Sequence, residues 1–324
     1  MKDKTFLRIT IVTTLCIVLL NLLVTEVFTR KVLIPNDIVT RKEKMLEEVQ
    51  YKIKIVSLGD SHIQSGITLG SDEFFNLAGE GEPIPIWYFK IKRLLNSPNN
   101  VNVILLQMDY HIFSHYRTVN VEAATMKYAT YIDEKIDRKL GVYPEPSTPQ
   151  YIKLYSLQPN YAPIVHSALR KYIRKELKAP ILANNGAEVS IKKFINLPEI
   201  ERTRIAERRV QLHLQNGDLI DPNLLSYYER IIQLAESHGV KVILIRSPLS
   251  KEYQSFISEP VKQDIDKLAS QIRLKYNLPL LDYRTAFNDQ QENFLDEDHL
   301  NSDGSKILGQ LIIKDLKKFN IEVD

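Results

Sequence analysis

The chain has 324 residues, 44% hydrophobic and 26% charged, with a formal net charge of +3 and one cysteine. That balance suits a globular protein with a sizeable core and excludes a disordered or low-complexity chain. Lys and Arg are scattered, which leaves no case for nucleic acid, and Cys16 alone excludes an intrachain disulfide framework or a Cys-based metal site.

Phe6 to Phe28 is mostly Leu, Ile, Val and Thr, with Arg8, Asn21 and Glu26 near its ends. Such a run can span a hydrocarbon core of about 30 Å. No small-residue cleavage site precedes Arg30, and Thr13-Thr14-Leu15 before Cys16 makes a poor lipoprotein signal. Residues 1–29 are therefore expected to be a single-pass transmembrane anchor, 30–51 a polar juxtamembrane spacer, and 52–324 the main domain. Lys2, Lys4 and Arg8 favour a cytoplasmic N-terminus, although Arg30, Lys31, Arg41, Lys42 and Lys44 pull the other way. The rest of the chain is placed outside the cytoplasmic membrane.

Ile53, Ile55 and Val56 read as a short buried strand that breaks into Gly59-Asp60-Ser61-His62. A hydroxyl thus sits just past a strand's carboxyl end, where open α/β sheets place ligands. Asp60 is expected to pin the turn, and His62 either to contact substrate or to pack as a buried side chain. A loop over Phe74-Phe75-Asn76-Leu77-Ala78-Gly79-Glu80-Gly81 leads into a helix with Ile84, Trp87, Ile91 and Leu94 on one face. Val101 to Met108 is the next buried strand, followed by Asp109-Tyr110-His111.

Residues 112–215 break the βα alternation. Four prolines (Pro144, Pro146, Pro149, Pro159) and eight tyrosines (Tyr116, Tyr128, Tyr131, Tyr143, Tyr151, Tyr155, Tyr161, Tyr172) mark a partly helical insertion, expected as a lid over the strand ends. Its tyrosines suit core and rim positions or stacking on sugar rings. Lys171, Arg174, Lys175 and Lys178 form a basic face that is solvated or meets an acidic glycan or lipid headgroups. Alternation then resumes: a helix capped by Asp221-Pro222, a strand over Val240–Ile245, a helix from Ser258, and a strand over Leu280–Tyr283. Strand and helix in turn imply a parallel sheet covered on both faces, a three-layer α/β/α fold.

The segment FLDEDHLNSDGSKILGQLI at 294–312 places Asp296 and His299 three apart before an amphipathic helix. A serine hydroxyl needs a base to take its proton, and the base works best with a carboxylate fixing its tautomer. Asp296 and His299 can supply both. Asp298 competes as orienter, but its adjacency to His299 argues against reach to Nδ1. His62, His111 and His115 fall near strand ends; no His-Glu-x-x-His or similar spacing marks a metal, so neither metal nor cofactor is expected.

Gly59-Asp60-Ser61 together with Asp296-x-x-His299-Leu300-Asn301 resembles the first and last blocks of the SGNH/GDSL hydrolase superfamily. The resemblance implies the three-layer fold, a catalytic triad of Ser61, His299 and Asp296, and a loop glycine, Gly81 or alternatively Gly79, whose N–H helps hold the oxyanion. The chain departs from the family pattern in the third block, usually Gly-x-Asn-Asp, where Asp109 stands in place of the Asn beside Gln107. An ionised Asp only accepts hydrogen bonds and repels an oxyanion. Either Gln107 donates instead, or the backbone N–H groups of Ser61 and Gly81 suffice, or the site is degenerate. This departure is similar to membrane-anchored SGNH-like proteins of bacterial polysaccharide and cell-wall modification. The resemblance implies an O-acyl(acetyl)transferase that takes an acyl donor and a glycan acceptor, with a multispanning membrane acyltransferase as partner. An esterase or deacetylase, and a non-catalytic scaffold in glycan modification or assembly, stay open beside it.

Overall fold

The computed structural model describes residues 2–119, 164–179, 181–214 and 218–323. It divides into two compact units, Met1–Arg41 with Met126–Pro180, and Lys42–Thr125 with Ile181–Asp324.

In the first unit one helix, Lys2–Phe28, carries the N-terminal apolar run. Helical backbone continues through Asn36, and a window within it has a mean hydropathy of 2.3 with none of it buried. Among the described residues this is the one helix long and apolar enough to cross a membrane, as an anchor or a signal sequence. The Val165–Ile173 helix packs near its C-terminal end, where Val165 and Ala168 bury against Phe28 and Leu33 and Tyr172 meets Phe28 edge-on. His166 Nε2 lies 3.2 Å from Asn21 Oδ1, so the polar residue near the end of the apolar run has a partner. Tyr128, Tyr131, Tyr143, Tyr151, Tyr155 and Tyr161, and the four prolines of the expected insertion, lie outside the described residues.

The second unit holds a five-stranded, fully parallel sheet in the order β2-β1-β3-β4-β5. The strands are β1 (Ile55–Leu58), β2 (Phe74–Asn76), β3 (Val103–Gln107), β4 (Lys241–Arg246) and β5 (Leu280–Asp282). The expected strands form, each displaced or trimmed by one or two residues. β2 is the exception: its Phe-Phe-Asn run reads as loop, but it pairs with β1, Ile55 opposite Phe74. Three residues are too few for a visible period.

Side chains alternate across the sheet. Ile55, Val103, Leu105, Ile243 and Ile245 share a buried cluster with Leu308, Ile312 and Leu316 of the Ser302–Leu316 helix. Val56, Leu58, Ile104, Leu106 and Leu244, also buried, take the opposite face. Full burial of each such side chain stabilises the fold by roughly 1.5–3 kcal/mol. The Pro222–Ser237 helix packs on the Ile84–Leu95 helix and on β4, and Tyr228 Oη donates to Gln107 O at 2.8 Å. As the sequence suggests, Asp221 caps the former helix, accepting from Asn223 N and Leu224 N.

Part of the expected spacer belongs to this unit. Lys42 and Glu43, on the Ile38–Val49 helix, are buried; Lys42 donates to Ala78 O and Glu43 pairs with Arg93. The end of the expected insertion belongs here too, as the Glu199–Leu214 helix.

In the order 2-1-3-4-5 the connections leave β1 and β3 in opposite directions along the sheet. The carboxyl ends of those two strands therefore flank the crevice where doubly wound sheets bind ligands. Ser61 follows β1 and Asp109 follows β3.

Candidate active site

The Ser61 turn is built from a tight backbone and a buried carboxylate. A Cβ on Gly59 would lie 2.4 Å from Ile63 Cγ1 and 2.5 Å from Gln107 Oε1, so only glycine lets the chain pass. Asp60 then caps the Ser61–Gly66 helix, its Oδ1 accepting from His62 N at 3.0 Å. Ser61 is the first residue of that helix, partly exposed, where backbone N–H groups have no intrahelical acceptor. The Asp60 carboxylate also accepts from Gln107 Nε2 at 2.9 Å, from His111 Nε2 at 2.6 Å and from Arg117. Burial pushes the Asp60 carboxyl up, but Arg117, His111 and His62 outweigh it and hold it well below the usual carboxylate range.

Gln107 and Asp109 are committed to this brace. Gln107 donates one amide hydrogen to Asp60 and the other to Asp109 Oδ2 at 2.7 Å, and its carbonyl accepts from Asp60 N at 2.7 Å. Asp109 accepts in addition from Ser247 N at 2.8 Å and faces His62 Nδ1 at 3.1 Å. An amide with both hydrogens taken has none left for an oxyanion. The expectation that Gln107 replaces the missing Asn as donor is therefore corrected: it joins the two strand ends. The loop glycines differ as well. Gly79 N donates to Gly59 O at 3.2 Å, so that N–H is spent. Gly81 sits at φ +67° in a turn closed by Glu82 N on Gly79 O, a conformation that favours glycine.

The Asp296–His299 loop is self-contained. Asp296 Oδ1 accepts from Asp298 N, from His299 N at 2.9 Å and from His299 Nδ1 at 2.8 Å, so one carboxylate sets both backbone and ring. Leu295 N donates to His299 O, and Asn301 caps the following helix while its Nδ2 holds Glu292 O at 2.7 Å. Asp298 comes closer than its adjacency suggests, with Oδ1 2.9 Å from His299 Nδ1. It is outside hydrogen-bond geometry there, which leaves Asp296 as the aligned partner. His299 Nε2 is buried with no hydrogen-bond partner, so Ser61 Oγ is not bonded to it.

The two segments meet through His62, whose ring lies edge-on to that of His299 with centroids 5.0 Å apart. His62 spans Asp109 on Nδ1 and Asp298 on Nε2, the latter at 3.2 Å. Burial lowers its pKa, but Asp60 and Asp298 prevail and raise it to about 9. For His299 burial likewise lowers, yet Asp296 and Asp298 hold the ring well above the ordinary histidine value. His111 and His213, stacked with centroids 4.6 Å apart, go the other way; burial drives His111 down to about 4 and His213 well below its usual value. The site thus alternates two rings biased toward the cation with two neutral ones. His115 is exposed and hydrogen-bonds Thr118, away from the cluster.

Sequence reasoning passed over Arg117, His213 and Arg209. The first lies in the short His115–Val119 helix, and the other two sit on one face of the Glu199–Leu214 helix, a legible pattern whose target was not. Arg209 Nε pairs with Glu297 at 2.6 Å and lies 3.7 Å from Asp298, and His213 Nδ1 bonds Tyr253 Oη at 2.9 Å.

No protein-family model matches the chain, and no curated protein is similar to it. Among solved structures, a proposed acylhydrolase of Bacteroides fragilis overlaps with a TM-score of 0.43 at 9% identity, covering 88% of this chain and 97% of that one. A GDSL-like lipase of Bacteroides thetaiotaomicron overlaps with a TM-score of 0.42 at 8% identity, covering 87% and 98%. Overlaps this distant carry no functional argument for this chain.

Proposed function

We propose that the chain is a membrane-tethered acyl-transfer enzyme of the SGNH type, working through Ser61, His299 and Asp296 as an O-acyl(acetyl)transferase on a cell-surface polysaccharide. The observation that carries this reading is the Asp296–His299 pair, aligned at 2.8 Å on Nδ1 with Nε2 buried and open, beside the turn that presents Ser61.

In the proposed reaction His299 first gives up the proton that Asp296 and Asp298 favour on it; the Ser61 hydroxyl then adds to the ester carbonyl and its proton passes to Nε2 of the neutral ring. The tetrahedral oxyanion is held by the backbone N–H groups of Ser61 and Gly81, since the side chains of the third block are spent. Collapse breaks the ester C–O bond, and the proton on Nε2 goes to the departing alkoxide. A sugar hydroxyl then attacks the acyl-enzyme, giving up its proton to His299 and restoring Ser61. Two carboxylates beside His299 stabilise the imidazolium that forms in each half-reaction. Glycan modification is favoured by the apolar N-terminal helix, since a freely diffusing esterase needs no tether. A multispanning partner would bring the acyl donor across the bilayer.

The test is mass spectrometry of the detergent-solubilised chain after exposure to an activated acetyl ester, with Ser61→Ala in parallel. An acetyl group mapped to Ser61 and released faster by an oligosaccharide than by water supports the transferase. Release by water alone makes the protein an esterase, and a Ser61 that is never acylated leaves a non-catalytic scaffold.

A further inference from the structure

Four buried polar atoms without hydrogen-bond partners fall on three neighbouring side chains: His62 Nε2, both carboxylate oxygens of Asp298, and His299 Nε2. Asp298 pairs with both rings, Oδ2 3.2 Å from His62 Nε2 and Oδ1 2.9 Å from His299 Nδ1, but out of hydrogen-bond geometry, and a missing ion is one physical reason for such a misaligned buried group. Both histidines give Nδ1 to a carboxylate, His62 to Asp109 at 3.1 Å and His299 to Asp296 at 2.8 Å. Metal-bound histidines are oriented in this way, the carboxylate fixing the N–H on one nitrogen and leaving the lone pair of the other for the ion. A ligand atom of each of His62, Asp298 and His299 lies within 4.8 Å of the others. His62 Nε2 and Asp298 Oδ2 are 3.2 Å apart, against about 3.3 Å for two ligands at ~2.0 Å on a tetrahedral zinc.

Outside this trio, the other basic side chains stand further off. Arg209 Nε and His213 Nδ1 are each 3.7 Å from Asp298 Oδ2, and each already has a closer partner, Glu297 at 2.6 Å and Tyr253 at 2.9 Å. Two imidazoles and one carboxylate, with no thiolate, are a donor set for zinc rather than magnesium or calcium.

We propose that His62, Asp298 and His299 form a zinc(II) site, and that zinc bound there withdraws His299 from proton transfer. The binding half of this proposal does not depend on Ser61 being a nucleophile; the inhibitory half does. A divalent ion and a transferable proton compete for the same ring, so the metal acts as a reversible block.

The experiment uses the full-length chain in detergent, stripped with a chelator and titrated with cobalt(II) by visible absorption, then with zinc in competition. Wild type and Ser61→Ala should each bind one metal with the intense spectrum of tetrahedral cobalt. His62→Gln and Asp298→Asn should weaken zinc by about 10–100-fold or more. A wild-type spectrum without tetrahedral cobalt, or equal zinc affinity in wild type and both variants, overturns the site. The wild-type spectrum requires no variant to fold. Zinc should also slow acetylation of Ser61, with recovery on chelation; acetylation unaffected by saturating zinc overturns the block. A Ser61 that is never acylated without metal counts against the acyl-transfer reading, while the cobalt titration still decides the site.

Discussion

Replacing Gln107 by Leu separates a brace from an oxyanion donor. The substitution keeps roughly the same volume in a fully buried position, so cavity terms are small. It removes two donated hydrogen bonds to carboxylates, at 2.9 and 2.7 Å, and orphans the Asp60 N–H held at 2.7 Å. Bonds to charged groups contribute about 1.5–3 kcal/mol each, and an orphaned buried donor costs about 1–3. Asp60 keeps His111 and Arg117, and Asp109 keeps His62 and Ser247 N, so relaxation recovers part of the loss. A net destabilisation of about 4 kcal/mol follows, lowering the Tm of a unit this size by roughly 8–16 °C. The single tryptophan, Trp87, is buried and reports unfolding by fluorescence in detergent. An oxyanion donor would behave oppositely: kcat for p-nitrophenyl acetate would fall by about 10²–10³ with the melt nearly unmoved. A Tm change below about 2 °C beside such a loss in kcat would refute the brace and its magnitude.

Asp296→Asn, which leaves the loop's backbone bonds an acceptor but loses the carboxylate aligned on Nδ1, should lower kcat on the order of 10³-fold or more. Asp298→Asn should lower it less; the reverse ranking in steady-state assays makes Asp298 the orienting acid. Gly59→Ala should destabilise by about 1–3 kcal/mol and cut acylation at Ser61, because the new methyl meets Ile63 and Gln107. A variant with wild-type melt and acylation rate contradicts that packing. Burial lowers the Lys42 amine to about 7, so between that value and its unfolded value of 10.5 the folded chain binds fewer protons than the unfolded one. Stability from this residue therefore rises with pH across the window, at most about 1.4 kcal/mol per unit. The difference in Tm between wild type and Lys42→Met should grow in favour of wild type from pH 7 to 10; a constant difference rules the effect out.

What could be seen in advance was the part encoded locally. The Asp221-Pro222 cap, the β-branched runs of β1 and β4 and the Asp-x-x-His spacing each act within a few residues, so the sheet and the loop around His299 were legible. β2 was hidden because three residues show no period. The partners of Gln107 were hidden because a glutamine at a strand end looks the same whether its amide faces substrate or two buried acids. Adjacency foretold that Asp298 would be misaligned on His299 Nδ1, but not that its Oδ1 would come within 2.9 Å of it. His213 and Arg209 arrive from a helix far along the chain, where neither spacing nor composition points back to Ser61.

The site's two halves come from opposite ends of the chain, and that has a consequence in time. During synthesis, the turn holding Ser61 is complete long before the segment holding His299 exists. On the proposed acyl-transfer chemistry, the emerging polypeptide therefore carries a hydroxyl with no base. On that chemistry, proteolysis that removed residues 294–324, and Asp296 and His299 with them, would return the chain to the same condition and act as an off switch.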